Sequence, residues 1–482
     1  MNQERMNMLR QCAATAMLLV AVTGASYAQY PEDALRLGMS GTGVGARALS
    51  MGGAYTGVAN DYSAIYWNPA GLAQMQYSEF SAGLSYLSTK DNSTFFGNQE
   101  GYTNSGTALN SLGLVHKVPT VRGSFVIGFG FQRQANFVSG LSFTGFNPNS
   151  SIIQTYARNG AAYPSDISEN IAYQLYLADI DTLRGTFISP ITGRVTQLAK
   201  VIESGGLNNW SVSGGVDVAK DVSVGVTLTY VSGTYRYDRT YEEQDRARVY
   251  QTFPYDFDRY TLEENIDGDI SGFNAKFGLM YRVPDRFRFG LPVKTPTAFT
   301  VKESFGSTSR AYFDNGDVKP SEAGWTSDGS SEYGVRTPWV FGAGASVMFG
   351  DLVLSGDVEY TDWTQMEFKD ANSDVMAQNK TFKTLFRPTA DLRAGAEYQF
   401  PAGLRLRGGF MFQKSPFDGD PSSYDQKHIT GGIGIPLGGS TMLDLTYAYG
   451  WFDTYRTNYS SASRVDESIK THTILATFSH RF

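Results

Sequence analysis

The feature that most constrains the fold of this chain is a strict alternation of short and long connections between segments with β-strand character. Fourteen such segments can be recognised, beginning near Ser78, Thr107, Gly123, Asn208, Val222, Ile266, Arg286, Thr337, Leu352, Ala390, Gly403, His428, Thr441 and Ile469. The connections after even-numbered segments are short turns. Those after odd-numbered segments are long and polar, at about 88–106, 135–207, 240–265, 306–336, 364–389, 415–427 and 454–468. Outer-membrane barrels sort their loops in this way, whereas a soluble sandwich has no reason to. The sequence therefore predicts an all-β fold, a 14-stranded antiparallel transmembrane β-barrel.

The segments also show the period-2 pattern of strands that have one apolar and one polar face. In Val222–Tyr230 apolar residues alternate with serine, glycine and threonine, and in Asp391–Phe400 they alternate mainly with charged or polar residues. The last segment ends on Phe482, and a terminal aromatic strand residue resembles the signal read by the barrel-assembly machinery. We therefore expect a barrel in the outer membrane of a Gram-negative-type bacterium, surrounded by outer-membrane lipid.

The first residues have the pattern of a secretory leader. Arg5 and Arg10 precede an apolar run from Ala13 to Ala25, and Ser26-Tyr27-Ala28 fits a cleavage site, so 1–28 is predicted to be a signal peptide. The only cysteine lies inside this leader, which excludes disulfides and cysteine metal sites from the exported chain. The net charge of −7 is scattered, and no block of lysine and arginine suggests a nucleic-acid partner.

The stretch from Leu37 to Met75 does not fit a barrel wall. It is rich in glycine, lacks a sustained alternating pattern, and is too apolar for a solvated tail. Such a segment must be buried inside something larger. We therefore predict that residues 29–76 form a plug, or hatch, in the lumen of a barrel formed by 77–482.

The same stretch carries a family resemblance. Ala48–Ala54, Asn60-Asp61 and Tyr66–Leu72, which includes Asn68-Pro69-Ala70, resemble the N-terminal hatch of the FadL/TodX family. Arg336–Phe368 and Phe386–Pro416 resemble its later hairpins. The resemblance implies a 14-stranded outer-membrane channel for long-chain fatty acids or other hydrophobic small molecules, which leave sideways into the membrane after the hatch moves. It implies no enzyme activity and no cofactor.

Two other functions remain open at this stage. A FadL-like barrel also serves the type IX secretion system as an outer-membrane shuttle for cargo proteins, and its N-terminus would look much the same. A general diffusion porin conflicts with a plugged lumen. A barrel filled by its own hatch needs no second subunit to be complete, so we expect a monomer.

Six residues are the candidates for the gating part of the hatch. Pro69 limits φ and Asn68 supplies both a donor and an acceptor, so the Asn68-Pro69-Ala70 box would fix one end of the hatch. The Gly52-Gly53 pair would be its flexible part. The alternative for the box is a tight turn into the first strand. The candidates are Gly52, Gly53, Asp61, Asn68, Pro69 and Ala70.

Further candidates lie in the predicted wall. Gly128 and Gly130 would kink the third strand, where the family has a side exit, or would only serve barrel curvature. A charge that faces lipid at the midplane costs about 2–4 kcal/mol, so charged residues that alternate with the apolar set should face inward. These charged residues would hold the plug or, alternatively, line a polar conduit. They are Asp357, Glu359, Asp391, Arg393, Glu397, Arg405, Arg407, Asp444 and Arg481.

The 135–207 connection is predicted to be an extracellular loop with two amphipathic helices. Ser165 or Asp166 would cap the first, with Ile167, Ile171, Leu175 and Ala178 at helical spacing. Ser189-Pro190 would start the second, with Val195, Leu198, Ala199 and Ile202 on one face. These helices would pack on other loops or form a groove that first captures a hydrophobic ligand.

Catalytic and metal-site patterns are rejected. Gly41-x-Gly43-x-x-Ala46 matches part of a dinucleotide fingerprint, but no buried strand precedes it and no βαβ unit follows. The histidines stand on separate segments without paired ligand spacing, so no metal site is predicted. No nucleophile elbow is present.

Overall fold

A computed structural model describes residues 30–157, 159–162, 167, 170–251, 256–284, 286–320 and 324–482. The predicted signal peptide, 1–28, and the predicted cap residues Ser165 and Asp166 lie outside these residues.

Short helices occur only in the N-terminal segment and the long loops of the described chain. They are α1 (Pro31–Gly38), α2 (Ala46–Ser50), α3 (Ala64–Trp67), α4 (Ile153–Tyr156), α5 (Ile171–Gln174), α6 (Ser373–Ala377) and α7 (Asn379–Leu385), with 3-10 turns at Pro69–Gln74, Trp363–Gln365 and Ser422–Tyr424. A search of the described residues finds no helix both long and apolar enough to cross a membrane.

Strands make up most of the rest of the chain. They are β1 (Glu79–Phe95), β2 (Asn98–Val118), β3 (Phe125–Asn136), β4 (Ser139–Asn147), β5 (Asp179–Asp181), β6 (Thr186–Ile188), β7 (Val195–Ala219), β8 (Val222–Gln244), β9 (Phe257–Val283), β10 (Phe287–Lys294), β11 (Ala298–Phe313), β12 (Val318–Lys319), β13 (Trp325–Arg336), β14 (Val340–Phe349), β15 (Leu352–Asp362), β16 (Glu367–Lys369), β17 (Pro388–Gln399), β18 (Arg405–Gln413), β19 (Gln426–Gly438), β20 (Thr441–Thr457) and β21 (Arg464–Arg481).

These strands close into a single barrel. β1 pairs with β2 on one side and with β21 on the other, so the first and last strands complete the ring. Three wall strands each consist of two consecutive segments: β3 with β4, β10 with β11, and β13 with β14. Counted in this way the barrel has 14 antiparallel strands, and the predicted fold class is confirmed.

Short turns and long loops lie at opposite ends of the barrel, as the connection pattern predicts. The strands extend further toward the long loops than the apolar pattern indicated: β2 begins at Asn98, β7 at Val195 and β9 at Phe257. Above the lipid-facing band, the outward face no longer needs apolar residues, so the alternation fades there. The backbone ladder nevertheless continues.

The second helix predicted in the 135–207 connection is wrong. Val195, Leu198, Ala199 and Ile202 lie in β7, which pairs with β8 over its whole length and with β4 near its start. Ladder hydrogen bonds on both edges outweigh the helical spacing of a few apolar residues. Of the first predicted helix only the single turn α5 forms within the described residues.

The two faces of the wall differ in character. Large apolar side chains are exposed on the outside around the ring, among them Phe80, Leu84, Phe129, Val212, Leu228, Phe277, Leu392 and Ile474. At the long-loop end, an apolar cluster that includes Phe143, Ile153, Leu175, Tyr241, Phe257 and Val465 joins several loops to the strand tips. The remaining interior is occupied by the N-terminal segment and by polar wall residues.

Candidate functional site

The N-terminal segment, residues 30–76, lies inside the barrel. Its middle and end are almost completely buried, and the fully enclosed side chains include Leu49, Met51, Tyr55, Tyr62, Ile65 and Leu72. α1 packs its apolar face into a cluster with Phe299, Tyr333, Val335 and Phe382 near the long-loop end. The 3-10 turn contacts β7, β8 and β9. The segment thus crosses the interior and contacts the wall on several sides.

Glycines of the wall allow this close contact. A Cβ on Gly409 or Gly395 would overlap the backbone at Met51, and a Cβ on Gly432 would lie 2.6 Å from Cβ of Ser50. The same holds on other sides of the ring, where wall glycines face the segment: Gly113, Gly128, Gly130, Gly215, Gly225, Gly278, Gly290 and Gly344. Much of the high glycine content therefore makes room for the plug.

The glycine pair of the segment is packed rather than free. Gly52 and Gly53 have φ of +65° and +71°, values that an L side chain rarely adopts. A Cβ on Gly52 would lie 2.6 Å from the amide nitrogen of Phe410 in β18. Its own N–H donates to the Thr430 hydroxyl at 3.0 Å. The pair makes a tight turn that is pressed against the wall.

The Asn68-Pro69-Ala70 box joins the segment to β9. The Asn68 side chain donates to the carbonyl oxygens of Thr56 at 3.2 Å and Leu279 at 3.3 Å, and its Oδ1 accepts from the Ala70 N–H at 3.2 Å. Pro69 stands at the start of the 3-10 turn, where its missing N–H costs nothing. The box is both a turn and a wall contact.

Asp61 organises the segment from within. It accepts hydrogen bonds from the Tyr55 hydroxyl and from both the N–H and the hydroxyl of Ser63. Its carboxylate lies 3.7 Å from the Arg47 guanidinium.

Arg47 anchors the segment to the predicted lumenal charges. Its guanidinium binds both carboxylate oxygens of Glu397 at 2.8 Å. Arg407 bonds the same carboxylate at 2.6 Å and also Asp444 at 2.6 Å. Burial alone would lower the pKa of Arg47, but the neighbouring carboxylates, chiefly Glu397, hold it well above its ordinary value. The result is a buried, alternating chain of four charges.

The other predicted lumenal charges divide into two groups. Asp357 accepts from the backbone N–H groups of Tyr55 and Thr56 at 2.9 and 2.8 Å. Others pair along the wall: Arg393 with Glu359 at 3.3 Å, Arg481 with Glu79 at 2.8 Å, Arg405 with Gln399 at 3.2 Å, and Asp391 with the Lys414 N–H at 3.3 Å.

The hydrogen-bond ladder between the second and third strands is interrupted. The β2–β3 ladder runs from Val118–Phe125 to Ser111–Gln132 and stops there. Asn110 is an extra residue in β2 opposite β1, and such a bulge bends a strand. Beyond it, residues 98–110 of β2 have no ladder partner on the β3 side, although the whole stretch 30–157 is described. We call the paired part the seam and the unpaired part of β2 the open edge.

The interruption of the third strand is not at the predicted glycines. At Gly128 and Gly130, β3 is paired with β2 and with β7. The interruption lies at Phe137–Val138, after which β4 passes close to β1 and β2. Side chains rather than ladder bonds hold β4 there, as where Asn104 Nδ2 donates to the Ser139 carbonyl at 2.8 Å. Gly128 and Gly130 instead leave room for Ile65 and Tyr62.

A chamber of about 300 Å³ lies between the N-terminal segment, the open edge and the strands β20 and β21. Its lining mixes apolar and polar side chains and includes Leu49, Leu87, Asn110, Val138, Phe452 and Leu475. Two buried polar residues of the lining, Gln134 and His428, have side-chain atoms without a hydrogen-bond partner, while Glu467 pairs with Arg456 at 3.1 Å. The chamber is therefore suited to a molecule that is largely apolar and carries a polar group, or to water around an apolar one.

Sequence reasoning missed three residues that matter here. Arg47 was detectable, because it is the only cation in the glycine-rich apolar stretch from Leu37 to Met75. Asn110 clamps the segment by accepting from the Gly45 N–H at 3.1 Å and donating to the Gly43 carbonyl at 3.3 Å. Neither Asn110 nor Tyr62 carries a local signal, because each acts on a partner distant in sequence.

Comparisons with known proteins agree with this architecture. Residues 36–482 match the model of a family described as outer membrane protein transport protein (OMPP1/FadL/TodX). The toluene transporter TodX of P. putida is 12% identical over 92% of this chain and 99% of its own, with a TM-score of 0.56. A FadL homologue of Pseudomonas aeruginosa is 13% identical over 92% of this chain and 99% of its own, with a TM-score of 0.57. The monoaromatic hydrocarbon channel CymD is 16% identical over 92% of this chain and 98% of its own, with a TM-score of 0.51. No curated protein sequence matches the chain.

Proposed function

The chain belongs to the OMPP1/FadL/TodX family of outer-membrane transport proteins, and we propose that it takes up long-chain fatty acids or other hydrophobic small molecules through its wall. The family is one of transport channels rather than enzymes, and the protein resides in the outer membrane. Transfer of an apolar molecule from an apolar site into water costs about 25 cal/mol of free energy per Å² of apolar surface, so a water-filled pore is a poor route for it. A sideways exit into lipid avoids that cost.

The observation that carries the proposal is the position of the opening. Its lower end is the last rung of the seam, Ser111–Gln132, and the nearby outward side chains of Leu112 and Phe129 are 41% and 57% exposed on the lipid-facing surface. The chamber is lined by Asn110 and Val138, which flank the same opening. A ligand in the chamber therefore has a route toward the hydrocarbon layer that does not cross the tightly packed N-terminal segment.

The N-terminal segment would act as the hatch. It fills the lumen below the chamber and blocks a straight path to the short-turn end, which faces the periplasm in barrels of this kind. Ligand that enters from the long-loop end would collect in the chamber. A shift of the hatch would then enlarge the space that connects the chamber to the opening.

The proposal is tested by uptake in cells that lack their own channel for such compounds. Radiolabelled long-chain fatty acid and toluene are the two probes. Residues 30–482 contain no cysteine, so the pair Asn104→Cys with Ser139→Cys can tie the open edge to β4 where the two already meet. We expect oxidation of this pair to reduce uptake to the level of cells without the protein, and a reductant to restore it.

The matched control ties a closed part of the wall. Ser88 and Ser105 lie opposite each other in the β1–β2 ladder, so a disulfide between cysteines there leaves the opening untouched. Oxidation of this pair should leave uptake unchanged. If well-inserted protein takes up neither probe, the transport proposal fails and a shuttle for secreted proteins becomes the better interpretation.

A further inference from the structure

Tyr62 of the N-terminal segment reaches the last two rungs of the seam. Leu112 and Phe131 are directly opposite each other in the β2–β3 ladder, one rung from its end. The Tyr62 hydroxyl lies 3.1 Å from the Leu112 carbonyl oxygen and 3.0 Å from the Phe131 carbonyl oxygen, so it can donate its proton to either strand. A side chain of the segment thus contacts the wall where the pairing of β2 with β3 stops.

A second hydrogen bond fixes the phenol oxygen from the other direction. Gln132 Nε2 donates to Tyr62 Oη at 2.8 Å, and Gln132 Oε1 accepts from the Ser211 hydroxyl at 2.9 Å. Gln132 forms the final rung with Ser111, while Ser211 belongs to β7. One side chain of the segment therefore connects β2 and β3 directly and reaches β7 through Gln132.

The surroundings hold the Tyr62 ring in this position. Gly113 and Gly130 form the next rung, and a Cβ on either would overlap the ring or its hydroxyl. At the other end of the residue, the Tyr62 N–H donates to Glu79 at 2.8 Å. Burial raises the pKa of Tyr62, so its hydroxyl stays a proton donor throughout the physiological range.

We propose that Tyr62 is the positioning residue through which the N-terminal segment sets the lower end of the wall opening. With the segment in place, the hydroxyl donates its one proton to the carbonyl oxygen of one strand or the other, and the seam ends at Ser111–Gln132. Displacement of the segment removes this donor, and the adjoining rungs then separate more readily. The opening lengthens toward the lipid-facing part of the wall. Only the consequence for uptake rests on the proposed function.

The first test measures amide hydrogen exchange in the full chain folded into phospholipid vesicles. Tyr62→Phe keeps the ring and removes the hydroxyl. One neutral hydrogen bond corresponds to roughly a fivefold change in an equilibrium, so exchange at 111–113 and 130–132 should rise about fivefold. The matched control is Tyr55→Phe, because the Tyr55 hydroxyl bonds Asp61 within the segment and does not reach the seam. Its exchange at these positions should stay at the wild-type level.

A cross-strand disulfide distinguishes local fraying from general loosening. Leu112→Cys with Phe131→Cys places cysteines directly opposite each other on the outer face of the last rungs. When this pair is oxidised in the Tyr62→Phe background, exchange at the seam should return to the wild-type level. Equal exchange in wild type and Tyr62→Phe, or an increase spread around the whole barrel, would overturn the inference.

Uptake in the same variants addresses the consequence. If the opening limits release, Tyr62→Phe should raise the maximal uptake rate about twofold to fivefold while the half-saturating ligand concentration stays unchanged. A lower maximal rate would contradict the coupling to release. If wild-type protein takes up neither fatty acid nor toluene while seam exchange still rises in Tyr62→Phe, the proposed function fails and the role of Tyr62 in the wall stands.

Discussion

The N-terminal segment is held very differently on two sides of the barrel. On one side, which we call the anchored side, Arg47 and the Gly52-Gly53 turn lie on β17, β18 and β19 through a buried chain of charges. On the seam side, Tyr62 and Ile65 lie on β2 and β3 through neutral hydrogen bonds and apolar contact. Hydrogen bonds between ionised groups are about twice as strong as neutral ones. The seam side is therefore the easier one to release.

Under the proposed hatch movement, this difference would set the side on which displacement begins. Truncation of one partner in a buried ion pair costs about 3–5 kcal/mol, whereas a neutral hydrogen bond contributes about 0.5–1.5 kcal/mol. A displacement that begins at the seam side and pivots on the anchored side would leave the Arg47 ion pairs intact and break mainly neutral contacts, together with the hydrogen bond from the Tyr62 N–H to Glu79. It also acts first where the wall is already open.

The largest effect is expected from loss of the anchor. Arg47→Ala leaves Glu397 with Arg407 alone and removes the cation beside Asp61. We expect the free energy of unfolding, measured with urea in phospholipid vesicles, to fall by about 3–5 kcal/mol. Arg405→Ala is the matched control, because Arg405 bonds a partly solvated Gln399 on the wall. Equal losses in the two variants would show that the buried chain of charges anchors the segment no more strongly than an ordinary wall contact stabilises the barrel.

A smaller effect is expected from crowding the anchored side. Gly409 faces the segment, and a methyl group there would overlap Met51 and Gly52. Gly409→Ala should therefore lower the free energy of unfolding by about 1–3 kcal/mol, the usual cost of overpacking.

The neighbouring glycine supplies the control for that substitution. A Cβ on Gly408 meets nothing closer than the Thr430 carbonyl oxygen at 3.9 Å, so Gly408→Ala should be neutral or slightly stabilising. If both variants lose stability alike, the effect of Gly409→Ala comes from strand geometry and not from its contact with the N-terminal segment.

The smallest effect tests whether the anchor extends around the barrel to β9. Asn68→Ala removes the long hydrogen bonds to Thr56, Leu279 and Ala70, and we expect the free energy of unfolding to fall by about 1 kcal/mol. Asn98→Ala, which loses a bond to Thr144 on the exposed rim, is the control. Uptake that drops in Asn68→Ala but not in Asn98→Ala would assign the box to the moving part of the hatch.

The sequence predicted the barrel well because its signals are local. Alternation of apolar and polar residues and the lengths of the connections can be read within a few residues, and together they gave the strand number and the class of protein. The failed helix at Val195 to Ile202 shows the limit of such reading. A few apolar residues suited a helix by themselves, but pairing with β4 and β8 decided the structure.

The candidate site was predicted only in part. Asn68, Asp61 and the inward charges were predicted from the sequence; the first two lie in the segment, and Asp357 and Glu397 bond to it, whereas Arg405 and Asp391 pair along the wall. A flexible Gly52-Gly53 pair stays a prediction; in the structure the pair is packed against Phe410 and Gly409 of β18. Gly128 and Gly130 were expected either to kink the third strand or to serve barrel curvature, and in the structure they leave room for side chains of the segment.

What the sequence alone determined is a 14-stranded outer-membrane barrel whose N-terminal stretch must be buried. Strand periodicity, loop parity and an apolar stretch that fits neither water nor lipid were sufficient for that. Only the tertiary structure decided where the wall opens and on which side the segment is anchored. Both depend on the register between residues far apart in the chain, such as Tyr62 with Leu112 and Arg47 with Glu397. Register follows from the closure of the whole ring, so no local pattern contains it.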